Sequence, residues 1–204
     1  MKMNFWKITR RLLLIVLMIA IVFTVPIVFT GYQMYKAAVE EVSIASKVAE
    51  IKNDGSYVNF DEISSNFLVQ VVESEDRKFY DHFGINITST ARAFIKNFLA
   101  GAKLEGGSSI TQQLAKNMYF TFEKRYERKV AELFVAFQLE KVYTKEEILE
   151  LYCNIAYFGE GTYGIEEATL HYFGKEPFDM TDEEAAALVI TLKSPNNYNP
   201  NAMK

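Results

Sequence analysis

At 204 residues, 50% hydrophobic and 24% charged, the chain is long enough for one compact domain plus an appendage, and its composition excludes disorder. The first thirty residues carry Lys2, Lys7, Arg10 and Arg11 and no acid; without those four, 18 basic residues face 26 acidic ones, a net charge of −8. So acidic a body excludes a general nucleic-acid binder, and the single cysteine, Cys153, excludes an intrachain disulfide or a zinc site built from several thiolates.

Leu12 to Thr30 is an uncharged run of nineteen residues, about the length that spans a bilayer as a helix. Lys7, Arg10 and Arg11 precede it, so the positive-inside bias predicts residues 1–11 in the cytoplasm, 12–30 as a transmembrane anchor and the remainder outside. The run exceeds the apolar core of a signal peptide and no small-residue cleavage site follows, which favours an uncleaved anchor. Pro26 is compatible with such a helix. Residues 31–53 read as a helical stalk with Ala38, Val42, Ala45, Ala49 and Lys52 on one face, broken by the Asn53–Ser56 turn signal.

Residues 54–204 then read as predominantly helical. Ile63, Phe67, Val71 and Ser74 mark one helix face; Thr88 or Ser89 can cap a helix that Gly101 closes; Ser108 or Ser109 can cap another. Arg125 to Tyr143 makes a further helix, and Thr144-x-x-Glu147 and Thr181-x-x-Glu184 have capping-box spacing. Alternating strand patterns are scarce, so the expected fold class is mainly α.

Three segments carry chemistry. In "EDRKFYDHFG" a continuing helix would place Glu75 on one face with Phe79 and His82, a poorly solvated setting suited to a base, against the alternative of a solvated helix end. In "RKVAELF", Arg128 and Lys129 lie one turn before Glu132, either as a surface ion pair or as a cluster that holds an anion or a metal-bound anion. In "LEGGSSITQQLAKNMYF", Gly106 and Gly107 permit close backbone approach to a ligand, and the start of the following helix suits a phosphate. Gln112 and Lys116, and Gln113 and Asn117, form two polar ridges, and the P-loop order is absent. Phe94, Ile95, Phe98, Leu99, Met118, Tyr119, Phe120 and Phe122 flank this stretch as core or as a lipid-facing border. Sugar on the amides, phosphate on the lysine and a lipid tail among the aromatics describe an amphiphilic ligand.

Together these motifs resemble the peptidoglycan glycosyltransferases of family 51. "EDRKFYDHFG", "GGSSITQQLAKN", "RKVAE", "KEEILELYCNIAYFG" and "EEAAALVITLKSPNNYNP" occur in the family's order, from about Asp54 to Pro200. The resemblance implies a lysozyme-like helical domain that polymerises lipid II into glycan strands with inversion and releases undecaprenyl diphosphate. It implies Glu75 as general base and Glu132 as the acid assisting the departing diphosphate, directly or through a divalent cation such as Mg or Mn. It implies Lys116 and Arg128 at phosphate positions, Lys124 and Arg125 where the family places a basic residue, and Ser108, Gln112, Gln113 and Asn117 along the donor site. The partners implied are lipid II, the growing glycan, the bacterial cytoplasmic membrane and cell-wall synthesis proteins, with no nucleic acid.

Ser109 stands where the family usually has threonine, and Cys153 where it usually has leucine. The family continues beyond "YNP" with an arginine-bearing helix, so incomplete C-terminal packing is expected here, and with no transpeptidase domain after Lys204 crosslinking is not. A glycan-cleaving lysozyme or lytic transglycosylase is the rival enzyme; it has no need of the basic cluster or the lipid border. A catalytically inactive scaffold is the third reading, and retention of Glu75 and Glu132 counts against it.

Overall fold

A computed structural model of the chain describes residues 5–102, 106–121 and 125–202. Lys2, Leu104, Phe122 and Lys124 lie outside the described residues, as do the side chains of Lys7 and Phe94. The first element is helix α1, Phe5–Glu41, which runs unbroken through Pro26. Its apolar part is long enough to cross a membrane, with a mean hydropathy of 3.2 over an 18-residue window of which no residue is buried among the described residues. Gly31 is the first buried residue of α1, where the helix meets a later one.

Ser43 breaks the chain and caps α2, Ile44–Lys52, accepting a hydrogen bond from the Ser46 amide. This cap resets the helical phase, and the expected stalk face is corrected. Ala45, Ala49 and Lys52 are exposed, whereas Val48 is buried and Ile44 and Ile51 pack against the core.

The domain proper follows in chain order: α3, Ser65–Glu75; α4, Ile87–Ala100; α5, Ile110–Tyr119; α6, Tyr126–Val142; α7, Lys145–Ile155; α8, Ile165–Phe173; and α9, Asp182–Lys193. Between α7 and α8 sits an antiparallel hairpin, β1 (Tyr157–Gly159) and β2 (Thr162–Tyr163), with Tyr157 opposite Tyr163. Both threonine capping boxes form, before α7 and before α9. Gly101 closes α4 in the left-handed conformation, but the N-cap is Asn86 rather than Thr88 or Ser89.

Helix α5 occupies the centre. Ile110, Leu114 and Ala115 have no exposure, because α5 packs on both α6 and α7. Phe67 and Val71 bury the inner face of α3, which packs on α9, and Phe67 meets Phe158 from the hairpin. A buried side chain of this size contributes about 1.5–3 kcal/mol.

Asp76 fixes α3, the following turn and α5 relative to one another. It is 4% exposed and accepts from His82 Nε2 at 2.7 Å, Asn86 Nδ2 at 3.0 Å and the Ile110 amide at 3.2 Å. The last contact places a carboxylate at the start of α5, where unsatisfied amides favour an anion. The Asn86 that Asp76 holds also caps α4 through its Oδ1, so one carboxylate sets the starts of two helices.

Asp76→Asn sets an amide N–H against three donors. It should lower stability by about 2–3 kcal/mol, read as a fall in the unfolding midpoint of the full chain in detergent. Gly159 has φ 91 and a Cβ there would lie 2.3 Å from the Pro195 carbonyl oxygen. Gly159→Ala should therefore cost about 1–3 kcal/mol in the same measurement, and an unshifted midpoint would refute the packing described.

Candidate active site

Glu75 is the last residue of α3, because Asp76 leaves the helical region at φ −158 and ψ 75. The helix does not continue, so the expected face shared by Glu75, Phe79 and His82 is corrected: His82 pairs with Asp76, and Phe79 is fully buried. Glu75 turns instead to α5, where its Oε2 accepts from Gln113 Nε2 at 2.9 Å. The Tyr152 hydroxyl, on α7, donates to Gln113 Oε1 at 3.3 Å. Burial, and then the Glu75 charge, holds the Tyr152 phenol well above its usual range, so it stays a donor. That donor orients the Gln113 amide with its N–H towards Glu75.

The glycine-serine stretch is built differently from the expectation of a glycine loop opened to a ligand. A Cβ on Gly107 would lie 2.9 Å from Ala93 Cβ and 3.0 Å from Thr90 Cα, so this glycine lets the loop press on α4, where Thr90 Oγ1 donates to its carbonyl at 2.8 Å. Gly106 is exposed with open space around it. Ser109 caps α5: its hydroxyl accepts from the Gln112 amide at 3.1 Å and donates to the Gly84 carbonyl at 2.7 Å. Gln112 returns the contact by accepting from the Ser109 amide at 3.1 Å. Gln112 is therefore a buried capping residue, while Gln113 is the amide that reaches Glu75.

Glu132, in the first half of α6, has no exposure. Arg128 donates to its Oε1, and Lys129 Nζ donates to its Oε2 at 2.7 Å. This is a buried cluster, not a surface ion pair. Lys129 Nζ also donates to Ser108 Oγ at 2.6 Å, and its side chain keeps 41% exposure. One ammonium thus ties the buried carboxylate to the loop ahead of α5 while staying open to solvent. Both Glu132 oxygens are engaged by cations, and the described residues contain no group of three acidic, histidine or cysteine side chains.

The remaining predicted residues lie around this centre. Lys116 and Asn117 are part-buried on α5. Arg125 is exposed at the start of α6, 3.8 Å from Glu127. Lys124 lies outside the described residues. Asn117 lines a cavity of ≈ 320 Å³ with Tyr57, Asn154, Tyr157 and Tyr163. Ile85, Ile87, Thr90, Ala91 and Ile95 line a second, apolar cavity of ≈ 370 Å³, and Ile95, Phe98 and Leu99 stand exposed along α4. The flanking apolar residues therefore divide: Ile95, Phe98 and Leu99 face outward, whereas Met118, Tyr119 and Phe120 join the core.

Sequence reasoning named Lys129 only as a neighbour of Glu132. It missed its bridge to Ser108, and it missed Asp76 as the junction and Tyr152 as the residue orienting Gln113. Only Asp76, beside Glu75 in the first motif, had a local signal.

The family profile described as Transglycosylase matches residues 41–204. Penicillin-binding protein 1F of Bacillus subtilis is 36% identical over 93% of the chain, and penicillin-binding protein 1A of Aquifex aeolicus 44% over 71%. The biosynthetic peptidoglycan transglycosylase of Shewanella frigidimarina is 41% identical over 71% of the chain. The chain spans 28%, 20% and 64% of the lengths of these three relatives. With four-fifths of its residues inside that profile and the motif residues gathered around α5, the chain belongs to the transglycosylase family, the peptidoglycan glycosyltransferases of family 51.

Proposed function

We propose that the protein polymerises lipid II into glycan strands at the outer face of the bacterial cytoplasmic membrane, held there by α1 as a single-pass anchor with its N-terminus inside. One observation carries this reading: Gly106–Asn117 stands between an acid on α3 and a cation cluster on α6, joined to the first through Gln113 and to the second through Ser108.

Each side does a different part of a single displacement. The acceptor's sugar hydroxyl is a poor nucleophile until its proton is taken, and Glu75 takes it; the hydrogen bond from Gln113 that holds this carboxylate supports the role. The hydroxyl oxygen bonds to the anomeric carbon of the donor as the bond from that carbon to the diphosphate breaks, and the electron pair leaves with the phosphate. Negative charge grows on the departing oxygen, where Lys129 and Arg128 stabilise it more than they stabilise the ground state. Glu132 acts through these two cations: it fixes their position so that they need not reorganise during the reaction. Lys116 and Arg125 extend the positive surface for the diphosphate. Ser108, Gln113 and Asn117 face the sugar and its acyl groups, and the tyrosine-lined cavity beside Asn117 suits a sugar ring. The outward apolar strip on α4 suits the lipid chain or the bilayer surface.

Incubation of the full chain with lipid II in detergent should give long glycan polymers; shortening of preformed glycan instead would identify a hydrolase. Glu75→Gln should reduce polymerisation by about 10²–10⁴-fold with lipid II binding retained, and a parent rate would remove Glu75 as the base. Glu132→Gln, which leaves two cations without their anion, should reduce turnover by about 10²-fold or more; an unchanged rate would make the cluster structural only.

A further inference from the structure

The most extensive helix–helix contact among the described residues is between α1 and α6, the helix that carries Arg128, Lys129 and Glu132. It begins where the apolar helix reaches the domain. Leu12 to Phe29 present exposed side chains to the surroundings except at Ile27, which is half-buried, while Gly31 is buried. A Cβ at position 31 would lie 2.6 Å from the Glu127 carbonyl oxygen and 2.6 Å from Val130 Cβ, so the helices touch backbone to backbone and only glycine fits. Immediately beyond, Tyr32 and Tyr35 meet the Phe134 ring at centroid distances of 5.2 Å and 5.5 Å. Glu127, Val130 and Phe134 form the α6 face towards α1. Arg128 lies roughly 130° and Glu132 roughly 170° around the same helix from that face. Added volume at residue 31 must therefore part the two helices or turn one against the other, and a turn of α6 would carry the cation cluster and its bond to Ser108 with it.

We propose that Gly31 is a positioning residue for the reaction: α1 is a strut as well as an anchor, and its closest approach to α6 sets the placement of Arg128, Lys129 and Glu132. The inference rests on the function proposed above, and its test separates the two.

The full chain is compared in detergent with Gly31→Leu, with the milder Gly31→Ala, and with Ala37→Leu, which places the same side chain on an exposed face of the same helix. With lipid II as substrate, Gly31→Leu should lower kcat by about tenfold or more, because small misplacements of catalytic groups are costly. Its KM should stay within about twofold of the parent, since the lost interaction belongs to the transition state. Gly31→Ala should fall in the same direction by less, and Ala37→Leu should match the parent. Amide exchange across 127–133, measured without substrate, should quicken in Gly31→Leu and not in Ala37→Leu. A parent kcat in Gly31→Leu, a loss confined to KM, an equal loss in Ala37→Leu, or unchanged exchange in 127–133 would overturn the proposal. A parent chain that makes no polymer would instead refute the proposed function, and the exchange measurement would still decide the role of Gly31.

Discussion

A carboxylate with no access to water is costly to keep charged unless cations meet both of its oxygens, and Glu132 is in that position. Arg128 and Lys129 satisfy it from within its own helix, so the first turns of α6 form one electrostatic unit. Lys129 then extends to Ser108 and fixes the loop ahead of α5. From that point Ser109 can cap α5, and α5 can deliver Gln113 to Glu75. Take away the buried carboxylate and each later contact in this series loses its reference point.

The same logic explains why the reactive groups sit on helices and not on a loose loop. Asp76 locks the start of α5 to the end of α3, Tyr152 orients Gln113 from α7, and Gly31 brings the apolar helix against α6. The displacement proposed above would take a proton at one point and steady a diphosphate at another, which needs both groups held rigidly before the substrate arrives. Exposure is kept where a ligand would need it: Lys129 is open to solvent while the acid behind it is sealed.

Local chemistry was readable from the sequence and long-range geometry was not. The Thr144 and Thr181 capping boxes, the Ser109 cap and the Arg128–Lys129–Glu132 cluster all depend on neighbours within one helical turn, and all are present. The helix was extended too far past Glu75 because "EDRKFY" carries no glycine or proline, while Asp76 leaves the helix to serve His82, Asn86 and Ile110. The stalk face was misread because Ser43, a strong cap inside an otherwise helical pattern, resets the phase. In the sequence Gly31 opens the stalk and Gly107 belongs to a ligand loop; their partners, Val130 and Ala93, are distant or unmarked.

The account turns on one location for the diphosphate. The most direct measurement is a structure of the full chain bound to a lipid II analogue that cannot react. The diphosphate should lie within about 3 Å of the Lys129 and Arg128 nitrogens, with an acceptor sugar hydroxyl at Glu75. A diphosphate seated away from α6, with Glu75 facing no sugar, would contradict it.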